Sequence, residues 1–259
     1  MTDFLVYDIE TAKNEECLWE PPDDGEDHFP PVPAHKIVAI GGVLFGFDRD
    51  KTYVDYIKAF GRKDATERDM LEDFYQSFYK SRATLITYNG RRFDDIVVKH
   101  RMMRHGMKAP LLFKKDVRYR YTEEGHLDVA DQLTEYGAAY QSKLMYECQA
   151  IGMPGKVGVD GSEVQTLYNE GRIDDINSYA QCDVIQEGIL ALRWMHLRGY
   201  VSDNIYNSAV NTIIDVALGK NDAMITELIG MFDMNVLLLP ARSPEEVAME
   251  RDDQMELPI

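Results

Sequence analysis

The chain has 259 residues, 45% of them hydrophobic and 28% charged, enough to bury a sizeable core and ordinary for a soluble globular protein. No apolar run approaches the roughly 20 residues that span a bilayer, and three scattered cysteines, Cys17, Cys148 and Cys182, exclude a disulfide framework or a paired-cysteine zinc site. A net charge of −17 argues against a nucleic-acid partner until its distribution is read: residues 80–120 carry twelve Lys or Arg against three acids, a net of +9, leaving −26 for everything else.

In chain order, residues 4–7 are an apolar run that predicts a strand, with Asp8 and Glu10 at its C-terminal end. Asp3, Asp8 and Glu10 among the first ten residues lack the basic-then-apolar layout of a secretion signal, so a cytoplasmic location is expected. Residues 14–34 hold five of the ten prolines and an acidic cluster at 23–27, and read as a loop. Residues 37–47 read as a buried strand and 53–60 as its partner. Thr66-Glu67-Arg68-Asp69 has the form of a capping box, followed at helical spacing by Met70, Leu71, Phe74 and Phe78. A strand over 83–88 ends at Asn89-Gly90, and a helix over 93–105 has Gly106 just past its end. Residues 127–133 and 144–151 read as helical pieces, and 173–197 as one long helix bearing Tyr179 and Asp183. Helices over 205–218 and 224–232 follow, and from Ala241 the composition turns acidic and polar, as in a disordered tail. The expected organisation is an α/β domain over 1–200, a helical extension over 201–240 packed on it, and a tail over 241–259.

The chemistry lies in three short clusters. Residues two apart on a strand share a face, so Asp8 and Glu10 point to one side. Residues four apart on a helix also share a face, so Tyr179 and Asp183 approach one centre. Asp94, opening a helix after a strand end, adds a fourth carboxylate from another direction, and strand C-termini are where open α/β sheets place their sites. Four carboxylates and a tyrosine suit two divalent cations, Mg²⁺ or Mn²⁺, held against a phosphodiester. One cation activates water while the other relieves charge on the leaving oxygen. Each fragment alone is commonplace: a solvated strand end, an Asn-Gly turn, a helix-surface pair. Their joint appearance on the right elements predicts a metal-dependent nuclease. The basic segment, interleaved with Tyr119 and Tyr121, reads as a phosphate track, although any one of its cations reads equally as helix solvation.

The clusters Asp8-Ile9-Glu10, Asn89-Gly90-Arg91-Arg92-Phe93-Asp94 and Tyr179-Ala180-Gln181-Cys182-Asp183 resemble the three exonuclease motifs of the DEDD superfamily, tyrosine subclass. The middle one is similar to the version in family B DNA polymerases. His126-Leu127-Asp128-Val129, Ala150-Ile151-Gly152-Met153-Pro154-Gly155-Lys156 and Val159-Asp160-Gly161-Ser162-Glu163-Val164 resemble stretches of the free-standing exonucleases related to those polymerases. The resemblance covers residues 1–200. It implies a ribonuclease H-like fold, a mixed five-stranded sheet flanked by helices, with additional C-terminal helices. It also implies stepwise removal of nucleotides from the 3′ end of single-stranded nucleic acid, DNA favoured over RNA. In that reading Asp8 bridges both cations, Glu10 and Asp183 hold the water-activating one, and Asp94 holds the second. Tyr179 positions the attacking water. Thr11, Asn89, Gly90, Arg91, Arg92 and Phe93 are the expected substrate-binding positions, with Phe93 read equally as core packing. Asp95, Asp128 and Asp131 are expected to be structural or to support the ligands from behind, and Gln186-Glu187 stands where family members often carry Asn-Thr. Two alternatives stay open: a proofreading subunit serving a separate polymerase or another replication or repair partner, and a non-catalytic binding module on a nuclease fold.

Overall fold

The computed structural model describes residues 2–24, 28–48, 51–61, 64–156 and 163–240. Five strands form one sheet in the order β3-β2-β1-β4-β5: β1 (Thr2–Lys13), β2 (His35–Asp48), β3 (Lys51–Ala59), β4 (Thr84–Thr87) and β5 (His126–Asp128). β1, β2 and β3 are antiparallel neighbours, while β4 runs parallel to β1 and β5 parallel to β4. This is the mixed five-stranded sheet that the resemblance implies.

Alternation along β1 separates two cores. Leu5, Tyr7 and Ile9 pack with α1 (Glu67–Ser81) and α2 (Asp94–Arg104) on one face. Val6 packs on the other face with the long helix α7 (Ile173–Leu197). The α1 capping box is present, with the Thr66 hydroxyl accepting from the Asp69 N–H and the Asp69 carboxylate accepting from Thr66. Gly106, just past α2, has φ +64, the left-handed backbone that glycine adopts without steric cost. The smaller helices α3 (Lys115–Arg118), α4 (Val129–Leu133), α5 (Leu144–Ala150) and α6 (Val164–Asn169) fill the connections between β4 and α7. Beyond α7, α8 (Asp203–Leu218), α9 (Ala223–Gly230) and α10 (Met234–Leu237) join the α7-side core. The Lys220 ammonium donates to the Ile57 carbonyl of β3 at 2.7 Å, and the Tyr206 hydroxyl to the Leu237 carbonyl at 2.9 Å.

Two elements differ from expectation. β1 does not end at Asp8 but stays paired with β2 to Lys13, through a bulge between Glu10 and Thr11. Asp8 and Glu10, which read as a strand end, are interior positions of that strand, as is Thr11. Residues 127–128, read as the start of a helix, belong to β5, and the helix begins only at Val129, where the Asp128 carboxylate caps α4. The expected tail at 241–259, the middle of the acidic cluster at 25–27 and Val159-Asp160-Gly161-Ser162 lie outside the described residues. Among the described residues no helix is long and apolar enough to cross a membrane, and the three cysteines are free thiols.

Candidate active site

The site forms where the sheet parts. β1 pairs with β4 only from Phe4 to Val6, after which β4 diverges while β2 continues alongside β1. Into the gap comes Asp94, at the first position of α2, whose Oδ1 accepts the Ile9 N–H at 3.1 Å. From the other face α7 crosses β2 at Gly41, the residue paired with Asp8. A Cβ at Gly41 would run into the Ala180 carbonyl, so glycine is what lets α7 lie this close. That approach carries Tyr179 and Asp183 to β1. Carboxylate oxygens of Asp8, Glu10 and Asp183 lie within 4.8 Å of one another. The Tyr179 hydroxyl donates to the Asp183 carboxylate, and Asp94 shares a side-chain hydrogen bond with Asp8. All five expected catalytic side chains are thus neighbours.

Their electrostatics follow from that crowding. Burial raises the Asp94 carboxyl to about 7 against the opposing pull of the Ile9 N–H. Burial likewise raises Asp183 to about 7, with Tyr179 and Lys156 acting in the other direction. Asp8 and Glu10 are pushed well above the usual carboxylate range, first by desolvation and then by the other acids. The Tyr179 hydroxyl is raised by burial and by Asp183, so it stays a protonated donor. An all-oxygen donor set whose members resist ionising together fits a hard divalent cation, which takes oxygen ligands and offsets their charge.

The 89–94 loop is held from β5. The Asn89 and Arg91 N–H groups donate to the two Asp128 oxygens at 2.8 and 2.9 Å. Asn89 is left-handed at φ 64, a conformation asparagine tolerates, and Gly90 is pressed against the Thr87 side chain. Asn89 and Phe93 are half-buried and Arg92 is exposed. Phe93 borders the α1–α2 core and also meets the rings of Phe29 (5.6 Å) and His35 (5.0 Å), so both readings of it have a counterpart. The Thr11 hydroxyl lies 3.1 Å from His35 Nδ1. Arg91 is placed otherwise than expected. Its guanidinium donates to backbone carbonyls of Val117, Tyr119 and His126, the last at 2.7 Å, and braces the loop instead of facing a substrate.

The continuous phosphate track also needs correction. Arg101 is buried in an ion pair with Glu67 (2.6 Å), Arg104 pairs with Glu16 (2.7 Å) and Lys99 with Asp95 (2.5 Å), while Arg120 is held by Asp131. Arg101 and Arg104 are spent on partners 34 and 88 residues away that the local sequence does not show, and Lys99 on a partner one turn back in α2. Asp95, Asp128 and Asp131 have structural roles, as expected. Glu187 was missed. It lies one turn beyond Asp183 on α7, is 2% exposed, and is repelled by Asp94 and Asp183. The Tyr88 N–H donates to its carboxylate, yet Oε2 has no hydrogen-bond partner among the described residues. The signal was its spacing, since Tyr179, Asp183 and Glu187 continue one stripe at intervals of four.

A family model described as "Predicted 3'-5' exonuclease related to the exonuclease domain of PolB" matches residues 27–233. That span contains Asp94, Tyr179 and Asp183 and begins after Asp8 and Glu10. No curated protein matches the chain. Among solved structures, the chain is similar to the family B DNA polymerase from the hyperthermophilic archaeon Pyrobaculum calidifontis. Identity is 13% and the TM-score 0.52, over 85% of this chain and 30% of the polymerase. The chain therefore spans less than a third of that polymerase's length. The likeness is one of fold, the ribonuclease H-like sheet with its flanking helices.

Proposed function

The chain belongs to the family of predicted 3′–5′ exonucleases related to the exonuclease domain of PolB, and on that premise we propose that it hydrolyses the 3′-terminal phosphodiester of single-stranded nucleic acid, DNA in preference to RNA, with two divalent cations. The observation that carries this reading is the convergence of Asp8, Glu10 and Asp183 within 4.8 Å, with the Tyr179 hydroxyl on Asp183 and Asp94 beside Asp8. Asp8, Glu10 and Asp183 would hold one Mg²⁺ or Mn²⁺, and Asp8 with Asp94 the second. Bound cations supply an acidified water and neutralise charge on the leaving oxygen. The chain's own groups do the rest. Tyr179, a donor fixed by Asp183, orients the attacking water. Water oxygen bonds to phosphorus, the bond to the 3′ oxygen breaks, and the proton ends on that oxygen, releasing a nucleoside 5′-monophosphate. Thr11, Asn89, Gly90, Arg92 and Phe93 border the acids and are the proposed contacts to the terminal nucleotide, with Arg91 acting through the loop it braces.

The test is degradation of a 5′-labelled single strand, DNA and RNA in parallel, with Mg²⁺, with Mn²⁺ and with EDTA. A ladder shortening from the 3′ end is expected with either metal, absent in EDTA, and slowed about 10³-fold or more in Asp8→Ala. Full activity of Asp8→Ala would refute the site, and no cleavage under any metal would transfer the reading to a binding module.

A further inference from the structure

An aromatic row stands next to the 89–94 loop and takes no part in the hydrolytic site. Tyr119 and Tyr121 are 51% and 60% exposed, with ring centroids 5.8 Å apart, and the Tyr121 ring lies 4.9 Å from that of Tyr136. Exposing large rings to water costs free energy, and here two exposed rings adjoin a third that is half-buried. Each end of the row is fixed. Arg91 grips the chain at Val117 and Tyr119, and the Arg120–Asp131 ion pair ties the segment between the tyrosines to α4. Tyr136 is held at a cost in backbone strain. It and Glu135 have φ of 57 and 46, two successive non-glycine residues in the left-handed region, and the Gln132 amide donates to its hydroxyl at 2.9 Å. Such strain persists only where its surroundings impose it, and it gathers at functional positions.

Cations outnumber acids along the segment that carries the first two rings: residues 114–121 hold Lys114, Lys115, Arg118 and Arg120 against Asp116. Arg92, Lys114, Lys115 and Arg118 are exposed and have no carboxylate partner among the described residues. They belong to the part of the basic segment that its structural ion pairs leave unused. Rings that stack on any base, set among cations that meet phosphates, are the chemistry that recognises a single strand without reading its sequence. Continuity with the loop that carries Asp94 gives that strand a direction.

We propose that Tyr119, Tyr121 and Tyr136, with Arg92, Lys114 and Arg118, form a stacking track for the part of a single strand lying 5′ of the nucleotide being removed. The proposal rests on the nuclease reading above.

The test uses the Asp8→Ala protein with Mg²⁺ and fluorescence anisotropy on a trinucleotide and a twelve-nucleotide oligo-dT. The longer strand is expected to bind at least about tenfold more tightly than the shorter. Adding Tyr121→Ala removes about tenfold from the longer strand and nothing from the shorter. Tyr121→Phe, which keeps the ring, retains the parent's affinity. 2-Aminopurine placed upstream of the terminal nucleotides is quenched by the parent and released by Tyr121→Ala, a signature that altered folding would not imitate. Equal affinity of parent and Tyr121→Ala for the long strand, with their melting curves superimposed, would overturn the track and leave the row to a protein contact. Long-strand binding that depends on Tyr121 in a wild type that cuts nothing would keep the track and overturn the nuclease.

Discussion

Asp94 and Asp183 hold their protons up to about 7 because burial disfavours their charge. In the unfolded chain the same carboxyls release near the ordinary value of about 4. Between these values the folded state binds more protons than the unfolded, so stability is greatest at the acid end and falls as pH rises through the window. Melting in EDTA is expected to decline from about pH 5 to about pH 8, and Mn²⁺ to raise the midpoint more at the alkaline end. Glu187→Gln, which removes a buried repelling charge, should melt higher than wild type in EDTA at the alkaline end. A flat profile in both proteins would refute the mutual burden of these acids. Tyr179→Phe loses one hydrogen bond and keeps every carboxylate. It should slow turnover about 10- to 100-fold, less than Asp8→Ala, with Mn²⁺ affinity unchanged as read by calorimetry. Losses as deep as those of Asp8→Ala would give Tyr179 a larger part than orienting water.

Between elements, the decisive contact is α7 on β2 at Gly41. Gly41→Ala should cost about 1–3 kcal/mol in urea unfolding, because helix backbone has to move away from the sheet. It should also slow turnover about a hundredfold by carrying Asp183 from Asp8. Wild-type activity in this variant would mean the approach is not needed. The same contact shows why the site was legible in the sequence while parts of the fold were not. Asp8 with Glu10, and Tyr179 with Asp183, are local spacings on one strand and one helix, readable without knowing what lies opposite. Helices α1 and α7 announce themselves by a capping box and by length. The extent of β1 was hidden because polarity at Asp8, Glu10 and Thr11 looks like exposure, whereas Asp8 and Glu10 converge with Asp183 of α7 and Thr11 lies against His35 of β2. β5 has three residues, all buried, too few to show any period. Arg101 and Arg104 looked free because their partners, Glu67 and Glu16, lie 34 and 88 residues away. Glu187 obeyed the same spacing as Asp183 and was passed over because a lone glutamate on a helix usually faces water.

At the scale of the whole molecule, the proposed substrate is a polyanion while the protein itself is acidic, with net charge −17. Binding in that reading depends on the cations beside the proposed track, and the four exposed ones named there set its size. The affinity of the Asp8→Ala protein for a long single strand should fall with salt with a log–log slope no steeper than roughly −3, from about −0.7 per neutralised phosphate. A steeper slope would reveal cations beyond Arg92, Lys114, Lys115 and Arg118. The parted sheet has a consequence of its own. Past Val6 the β1 edge lacks a neighbouring strand on the β4 side, and at Ile9 the Asp94 carboxylate stands in for it. Deuterium exchange at that one amide runs slowly only while the carboxylate is seated against it. A backbone proton in the middle strand thereby serves as a clock for a side chain 85 residues further along.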